Sequence, residues 1–366
     1  MKAIITVLDA VTETSMPFNE FVLYRANHYK DDRQILVVCG PERELPKADI
    51  PQDLKIVYVG NKLGKIRRTL CGIIKECNSQ QLPYAVHLHQ VKSALLTQIA
   101  MLGTGFRSKT LFTVHNTFTG YSLHNKVLSF LNACFARQIS CVSKTAYKYF
   151  PGLVKAVKGD RIRPIQNGVD TERIDKVLEG LEPAEKTDGG VCFVYVARMV
   201  PVKNHEFLID VLKRSDERAR LVFIGAEDPE GKIRRLAAEN GVEDRIEFAG
   251  LIPRRDVFAR LSASDVYISS SVLEGLPVSV LEAMYCALPC ILSDIPQHIE
   301  AAEGMDDSVS LLPLEADRWA AEINRYVLMT GEERKSKGIA NRDFVANRFS
   351  LEQMHKGYDE IYSLLR

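Results

Sequence analysis

The chain has 366 residues, of which 46% are hydrophobic and 26% charged, and its formal net charge is +1. Those proportions exclude a disordered, collagen-like or low-complexity chain, and the length suits two domains that each bury a core. The +1 averages unlike halves: residues 1–170 hold 23 Lys and Arg against 12 Asp and Glu, and residues 171–366 hold 25 against 35. A basic first half suggests an anionic partner such as a membrane surface, a nucleic acid or a phosphorylated substrate. No nucleic acid is expected, because no recognition motif accompanies the charge.

The start, Met1 to Asp9, is apolar for too few residues to be a signal peptide and reads as a first strand, residues 3–8. Further short apolar runs fall at 35–39, 55–59, 85–88, 110–114, 139–142 and 162–165. A second series falls at 191–197, 220–224, 246–249, 266–269, 288–292 and 309–312. Strands of this kind separated by helix-length segments indicate α/β architecture, with parallel sheets covered on both faces. The alternation stops between Asn167 and Gly190, a mostly charged stretch that reads as a connection. Two doubly wound domains are therefore expected, 1–170 and 171–347, with 348–366 returning to the first. In that tail Leu351, Met354, Tyr358, Ile361, Tyr362 and Leu365 fall on one helical face behind Ser350 as a plausible N-cap. No run approaches the ~18 apolar residues of a spanning helix. The eight Cys include no C-x-x-C pair and mostly lie in apolar runs, as expected for reduced core thiols of a cytoplasmic protein.

Ligands of open α/β sheets bind beyond the carboxyl ends of the strands, and two facing domains would make a cleft there. The richest such loop runs from Ser269 to Met284. Gly275 permits close approach of a ligand, and Pro277 suits the first turn of a helix. The amides from Leu276 through Val278 to Ser279 would form an anion site at that helix start. Glu274 and Glu282 could accept hydrogen bonds from sugar or ribose hydroxyls, although acids near helix starts are also common for dipole reasons alone. After the strand 191–197 come Arg198 and Lys203, with Pro201 between them. They are either exposed loop cations or the counter-charge of a diphosphate leaving group. Gly225, Gly250 and Leu251 sit at two more strand ends, where turn formation alone would explain the glycines. Lys62, Lys65, Arg67, Arg68 and Lys75 surround an apolar helical face of Ile66, Leu70, Ile73, Ile74 and Cys77. Such a helix either packs on a core or lies on anionic lipid, each cation contributing about 1 kcal/mol near the surface; the basic first half favours membrane contact. A second basic cluster is Lys144, Lys148, Lys155, Lys158, Arg161 and Arg163. His87 and His89 have no carboxylate at ligand spacing and do not suggest a metal site.

These motifs together resemble the retaining glycosyltransferases of family 4, which have the GT-B fold. Glu274 to Glu282 matches the family's E-x7-E element, and Arg198 to Lys203 its R-x4-K element, with Ala197 before the Arg. Asp294 to Glu300, the Asn167-Gly168-Val169-Asp170 junction, Val142-Ser143, the strand-end His115 and Arg348-Phe349-Ser350 follow in the family's order. The first domain departs from the pattern. The glycine pair after strand 1 is missing, leaving Pro17-Phe18-Asn19-Glu20, with Thr14 and Ser15 as weak substitutes. Ala287 also replaces a glycine common after the E-x7-E helix.

The resemblance implies transfer of a hexose or N-acetylhexosamine from a nucleotide-diphosphate sugar, UDP-linked before GDP-linked, to a saccharide acceptor. It implies catalytic roles for His115, Arg198, Lys203 and Glu274, and donor contacts around Ser143, Asn167, Gly225, Gly250, Leu251, Gly275, Leu276, Pro277, Val278, Ser279 and Glu282. No cofactor or metal is implied, since the two cations and the helix start supply the positive charge. A lipid-linked acceptor and peripheral attachment to the inner face of the cell membrane are expected from the basic half. A sugar-nucleotide epimerase of the same fold, or a non-catalytic scaffold of a polysaccharide complex, are the alternatives.

Overall fold

The computed structural model describes residues 1–11, 16–42, 50–181 and 190–365. It divides into two compact units, Met1–Gly168 with Leu351–Arg366, and Val169–Ser350. The first contains β1 (Ala3–Leu8), β2 (Arg33–Val38), β3 (Lys55–Tyr58), β4 (Tyr84–Leu88), β5 (Thr110–Val114), β6 (Gln138–Cys141) and β7 (Ile162–Pro164). They form one parallel sheet in the order β3-β2-β1-β4-β5-β6-β7. Every residue of β1 is buried, as a continuous apolar run in a doubly covered sheet requires.

The second unit contains β8 (Val191–Val196), β9 (Ala219–Ile224), β10 (Ile246–Gly250), β11 (Val266–Ser269), β12 (Cys290–Ser293) and β13 (Val309–Leu312). Their order, β10-β9-β8-β11-β12-β13, repeats the first unit's winding. All thirteen expected runs are strands, within two residues at most ends. In each sheet the order reverses once, between β1 and β4 and between β8 and β11. Those reversals are the switch points beyond which doubly wound sheets bind ligands.

Three features differ from the sequence expectation or sharpen it. The connection after Asn167 is not all loop. Asp170 caps a helix, Thr171–Glu179, by accepting from the Arg173 amide at 3.0 Å, and Ile174 buries its apolar side. The basic helix Leu63–Ser79 turns Ile66, Leu70, Ile73 and Cys77 into the core of the first unit. Its apolar face is therefore largely spent on packing, and Lys65, Arg67, Arg68 and Lys75 are among the residues left outside. Ala287 holds a left-handed backbone, φ +59°. A glycine would adopt that conformation freely, whereas an L side chain is strained there.

The tail helix Leu351–Ser363 belongs to the first unit. Leu351, Met354, Tyr358, Ile361, Tyr362 and Leu365 are all buried against β1, β2, β4 and β5 residues. Asp359 on this helix accepts from Lys2 (2.7 Å) and from fully buried Arg25 (2.6 Å), which also pairs with Asp32 at 2.8 Å. The guanidinium lies over the rings of Tyr29 and Tyr362, 4.2 and 5.1 Å from their centroids. These contacts clamp the last element of the chain to the first. Five of the eight cysteines are buried.

Candidate functional site

In the second unit the loops after β8 and β11 flank the switch point. They are tied to each other by backbone and hydroxyl contacts. The Val272 amide donates to Val202 O (2.9 Å). Ser270 Oγ donates to the carbonyls of Lys203 (3.2 Å) and Asn204 (2.9 Å). Tyr195 Oη donates to Lys203 O (3.0 Å) and meets Ser271 Oγ at 2.8 Å. Behind them Ser293 Oγ donates to Ser271 O (2.5 Å) and lies 3.0 Å from His298 Nδ1. Burial pushes His298 down to about 4 and raises the Tyr195 phenol, so both are neutral hydrogen-bonding groups near pH 7. This seryl–tyrosyl framework fixes the backbone that carries Lys203 and Glu274. The run Ser269-Ser270-Ser271 was its only trace in the sequence.

On that framework Lys203 Nζ pairs with Glu274, both side chains mostly covered. Arg198 is exposed and forms no ion pair among the described residues. Helix Val278–Tyr285 starts behind Pro277, whose φ is −76°. Its first-turn amides, Val278 and Ser279, have no partner inside the helix and carry its positive dipole end. Leu276 is a core residue and Ser279 Oγ accepts from Tyr267 Oη at 3.0 Å, so both offer backbone rather than side chain. Two cations, one carboxylate and a helix start thus meet at one edge of one sheet, an arrangement suited to a diphosphate with an adjoining hydroxyl-bearing group.

Glu282, one turn further in, is 2% exposed and is held by Arg254, with Nη1 donating to Oε2 at 3.0 Å and a second contact from Nη2 to Oε1. Arg254 opens the helix Arg254–Ala263, just past β10, and its guanidinium packs on the Phe258 ring. Sequence reasoning missed Arg254. The signal was a cation in the same strand-end loop as Gly250 and Leu251, but its pairing across 28 residues was not visible. Gly225 has a packing reason: a Cβ there would meet Ala197 O at 2.2 Å. Gly250, at φ +65°, ends β10, and Leu251 is 60% exposed.

In the first unit His115 follows β5 directly. Its Nε2 lies 3.1 Å from His89 Nδ1, with the rings stacked. His87, on β4 two residues before His89, is saturated by Tyr362 Oη (2.7 Å) and Thr113 Oγ1 (2.6 Å). The pair is therefore part of a hydrogen-bonded core. Burial lowers His115 to about 3 and holds His87 and His89 well below the usual imidazole range. His115 can thus offer hydrogen bonds at neutral pH but not a charge. Ser143 caps the helix Lys144–Lys148 by accepting from the Ala146 amide (2.9 Å), and the Asn167 amide donates to Val142 O at 3.2 Å. Thr14 and Ser15 lie outside the described residues. A cavity of about 160 Å³ lined by Gln98, Phe106, Arg107 and Phe135 opens beside the start of β5, at the opposite edge from His115.

Family models match both units: Glycosyltransferase Family 4 over residues 26–173, and Glycosyl transferases group 1 over residues 181–343. EpsF of Bacillus subtilis (strain 168), whose name gives a glycosyltransferase and no substrate, is 31% identical over 357 residues. The match covers 93% of this chain and 84% of EpsF. A Xanthomonas campestris enzyme, GDP-mannose:cellobiosyl-diphosphopolyprenol alpha-mannosyltransferase, is 24% identical, covering 90% of this chain and 86% of its own. Among solved structures, Anabaena HepE in complex with UDP and glucose superposes with a TM-score of 0.77 at 16% identity, covering 99% of this chain and all of HepE. With both units matched in order and a relative above 30% identity along nearly its whole length, this chain belongs to glycosyltransferase family 4 and has the GT-B fold.

Proposed function

We propose that the chain moves a hexose or N-acetylhexosamine from a nucleotide-diphosphate sugar to a lipid-linked saccharide, with retention at the anomeric carbon and without a metal. One observation carries this reading: Arg198, Lys203, Glu274 and the start of helix Val278–Tyr285 converge at the switch point of the second sheet. Arg198 and Lys203 balance the charge that grows on the diphosphate as the bond from the sugar's anomeric carbon to phosphate oxygen breaks. The acceptor hydroxyl oxygen forms the new bond on the same face, and its proton passes to the departing phosphate oxygen. Glu274 accepts from the sugar hydroxyls once the diphosphate takes over Lys203. Glu282, oriented by Arg254, accepts from the ribose. Neutral His115 supplies a hydrogen bond to the reacting sugar, and the first unit supplies the acceptor.

The HepE complex supports a uridine nucleotide, and the Xanthomonas relative, named for GDP-mannose, supports a diphosphopolyprenol-linked acceptor. From the lipid-linked acceptor we infer a role in polysaccharide assembly at the inner membrane face. The test offers UDP-glucose, UDP-N-acetylglucosamine and GDP-mannose, each with and without a diphosphopolyprenol-linked saccharide. One donor is expected to be consumed only with acceptor, giving a product whose anomeric proton coupling matches the donor's α configuration. Consumption of a donor without acceptor would point to the epimerase. A Glu274→Ala variant with undiminished transfer would remove the site assignment.

A further inference from the structure

The first unit's positive excess is confined. Residues 61–165 carry 16 Lys and Arg against two acids, Glu76 and Asp160, and Glu76 is already paired with Arg33 and Lys55 from outside the segment. Lys126, Arg137, Lys148, Lys155 and Arg161 form no ion pair among the described residues. The same segment contains two helices whose outer faces are apolar. Helix Leu123–Phe135 buries Ser129, Asn132 and Ala133 and leaves Leu123, Val127 and Leu131 outside, from 78% to 37% exposed. Their spacing of four sets them in one line along the helix. Helix Gly152–Lys158 buries Val154 and leaves Leu153 and Val157 about 70% exposed. The two helices are neighbours, because Lys158 Nζ donates to the carbonyls of Cys134 (3.1 Å) and Ala136 (2.6 Å) at the end of the first.

A helix covering a sheet normally turns its polar residues to water. On the first of these helices Ser129 and Asn132 face in and large aliphatic residues face out, and the adjacent helix adds two more outward aliphatic residues, amid cations that have almost no acids to answer them. Contiguous exposed apolar surface of this kind marks an interaction site. Numerous cations around protruding aliphatic side chains are complementary to an interface that is anionic at its surface and hydrocarbon beneath. The basic helix Leu63–Ser79 lacks that second property, since its apolar face is in the core.

We propose that the outer faces of helices Leu123–Phe135 and Gly152–Lys158 dock on an anionic lipid bilayer. Leu123, Val127, Leu131, Leu153 and Val157 enter the boundary between headgroups and acyl chains, and the surrounding lysines and arginines hold the headgroups. This deepens the lipid-linked reading of the acceptor and rests on it for its purpose, but vesicle binding is measured without any transfer. The experiment sediments the full chain with phosphatidylcholine vesicles, with and without phosphatidylglycerol, at low and high salt. It compares wild type with the triple variant Leu123→Ser, Val127→Ser, Leu131→Ser and with the double variant Lys148→Gln, Lys155→Gln.

Wild type is expected to bind only the anionic vesicles. Binding should fall about tenfold or more in the triple variant and severalfold in the double variant and at high salt. UDP-induced thermal stabilisation, read in parallel, should be unchanged in both variants, which shows that they fold. Negligible binding of wild type to both vesicles, or full binding by the triple variant, overturns the proposal. So does a wild-type dimer that the triple variant dissociates while vesicle binding persists, because the face would then belong to a second copy. Vesicle binding by a wild type that ignores every nucleotide would sink the donor-site reading and leave the docking face standing.

Discussion

The two units share one winding order and treat charge in opposite ways. The second pairs its surface cations with nearby acids: Arg214 with Asp210 and Asp317, Arg218 with Asp216, Lys232 with Glu206, Arg234 with Glu227, and Arg260 with Glu247. The cation it leaves outside such pairs beside the switch point is Arg198, where a diphosphate is proposed to sit. The first unit buries one cluster, Arg25 with Asp32 and Asp359, places surface pairs such as Lys30–Asp53 and Lys356–Glu352 outside residues 61–165, and carries in that segment 16 cations against two acids. On the two proposals above, one α/β frame would serve two partners, because the frame fixes where loops gather and the side chains decide what they meet.

The sharpest way to break this comparison is acid. Burial lowers six histidines: His87, His89, His115 and His355 in the first unit, and His205 and His298 in the second. Each binds its proton in the unfolded chain near pH 6.5 but well below that when folded, His115 at about 3 and His205 and His298 at about 4. The stabilisation is thus complete above pH 6.5 and is lost as pH falls towards 4, at about 1.4 kcal/mol per unit for each histidine. The first unit should unfold first on acidification. Trp319, the single tryptophan, is buried in the second unit and reports on it separately. Far-UV circular dichroism should fall at a higher pH than Trp319 fluorescence changes, and coincident transitions would show that the histidines do not set the order.

Arg25→Ala comes next. It leaves Asp32 and Asp359 without their buried partner and should cost about 3–5 kcal/mol. Denaturant unfolding should again separate the units, with the Trp319 transition near its wild-type midpoint. The smallest effect is a gain. Ala287→Gly relieves the left-handed backbone but loosens the unfolded chain, a net stabilisation on the order of 0.5 kcal/mol. Calorimetry should show the higher-melting form, and a lower melting temperature would mean that the strain at Ala287 is not relieved.

The strands and the tail helix were legible in sequence because parallel strands are continuous apolar runs and a buried helical face repeats at three and four. The loops of the second unit were legible because cations, glycine and proline have local reasons to stand at strand ends. The role of helix Leu63–Ser79 was not, since an amphipathic pattern says which residues share a face and not whether core or lipid covers it. The outward Leu123, Val127 and Leu131 were hidden for the converse reason: apolar residues in a helix read as core until the fold shows Ser129 and Asn132 inside. Arg254 and the Tyr195–Ser271 contact join residues 28 and 76 positions apart, and nothing local announces such pairs.

The central claim is that the second unit holds a nucleoside diphosphate through Arg198 and Lys203. Isothermal titration of the full chain with UDP, GDP and ADP tests it directly when wild type is set beside the double variant Arg198→Ala, Lys203→Ala. One nucleotide is expected to bind wild type and to lose about a hundredfold or more in affinity in the double variant, two charge-assisted contacts being removed. Equal affinity in both proteins would contradict the account.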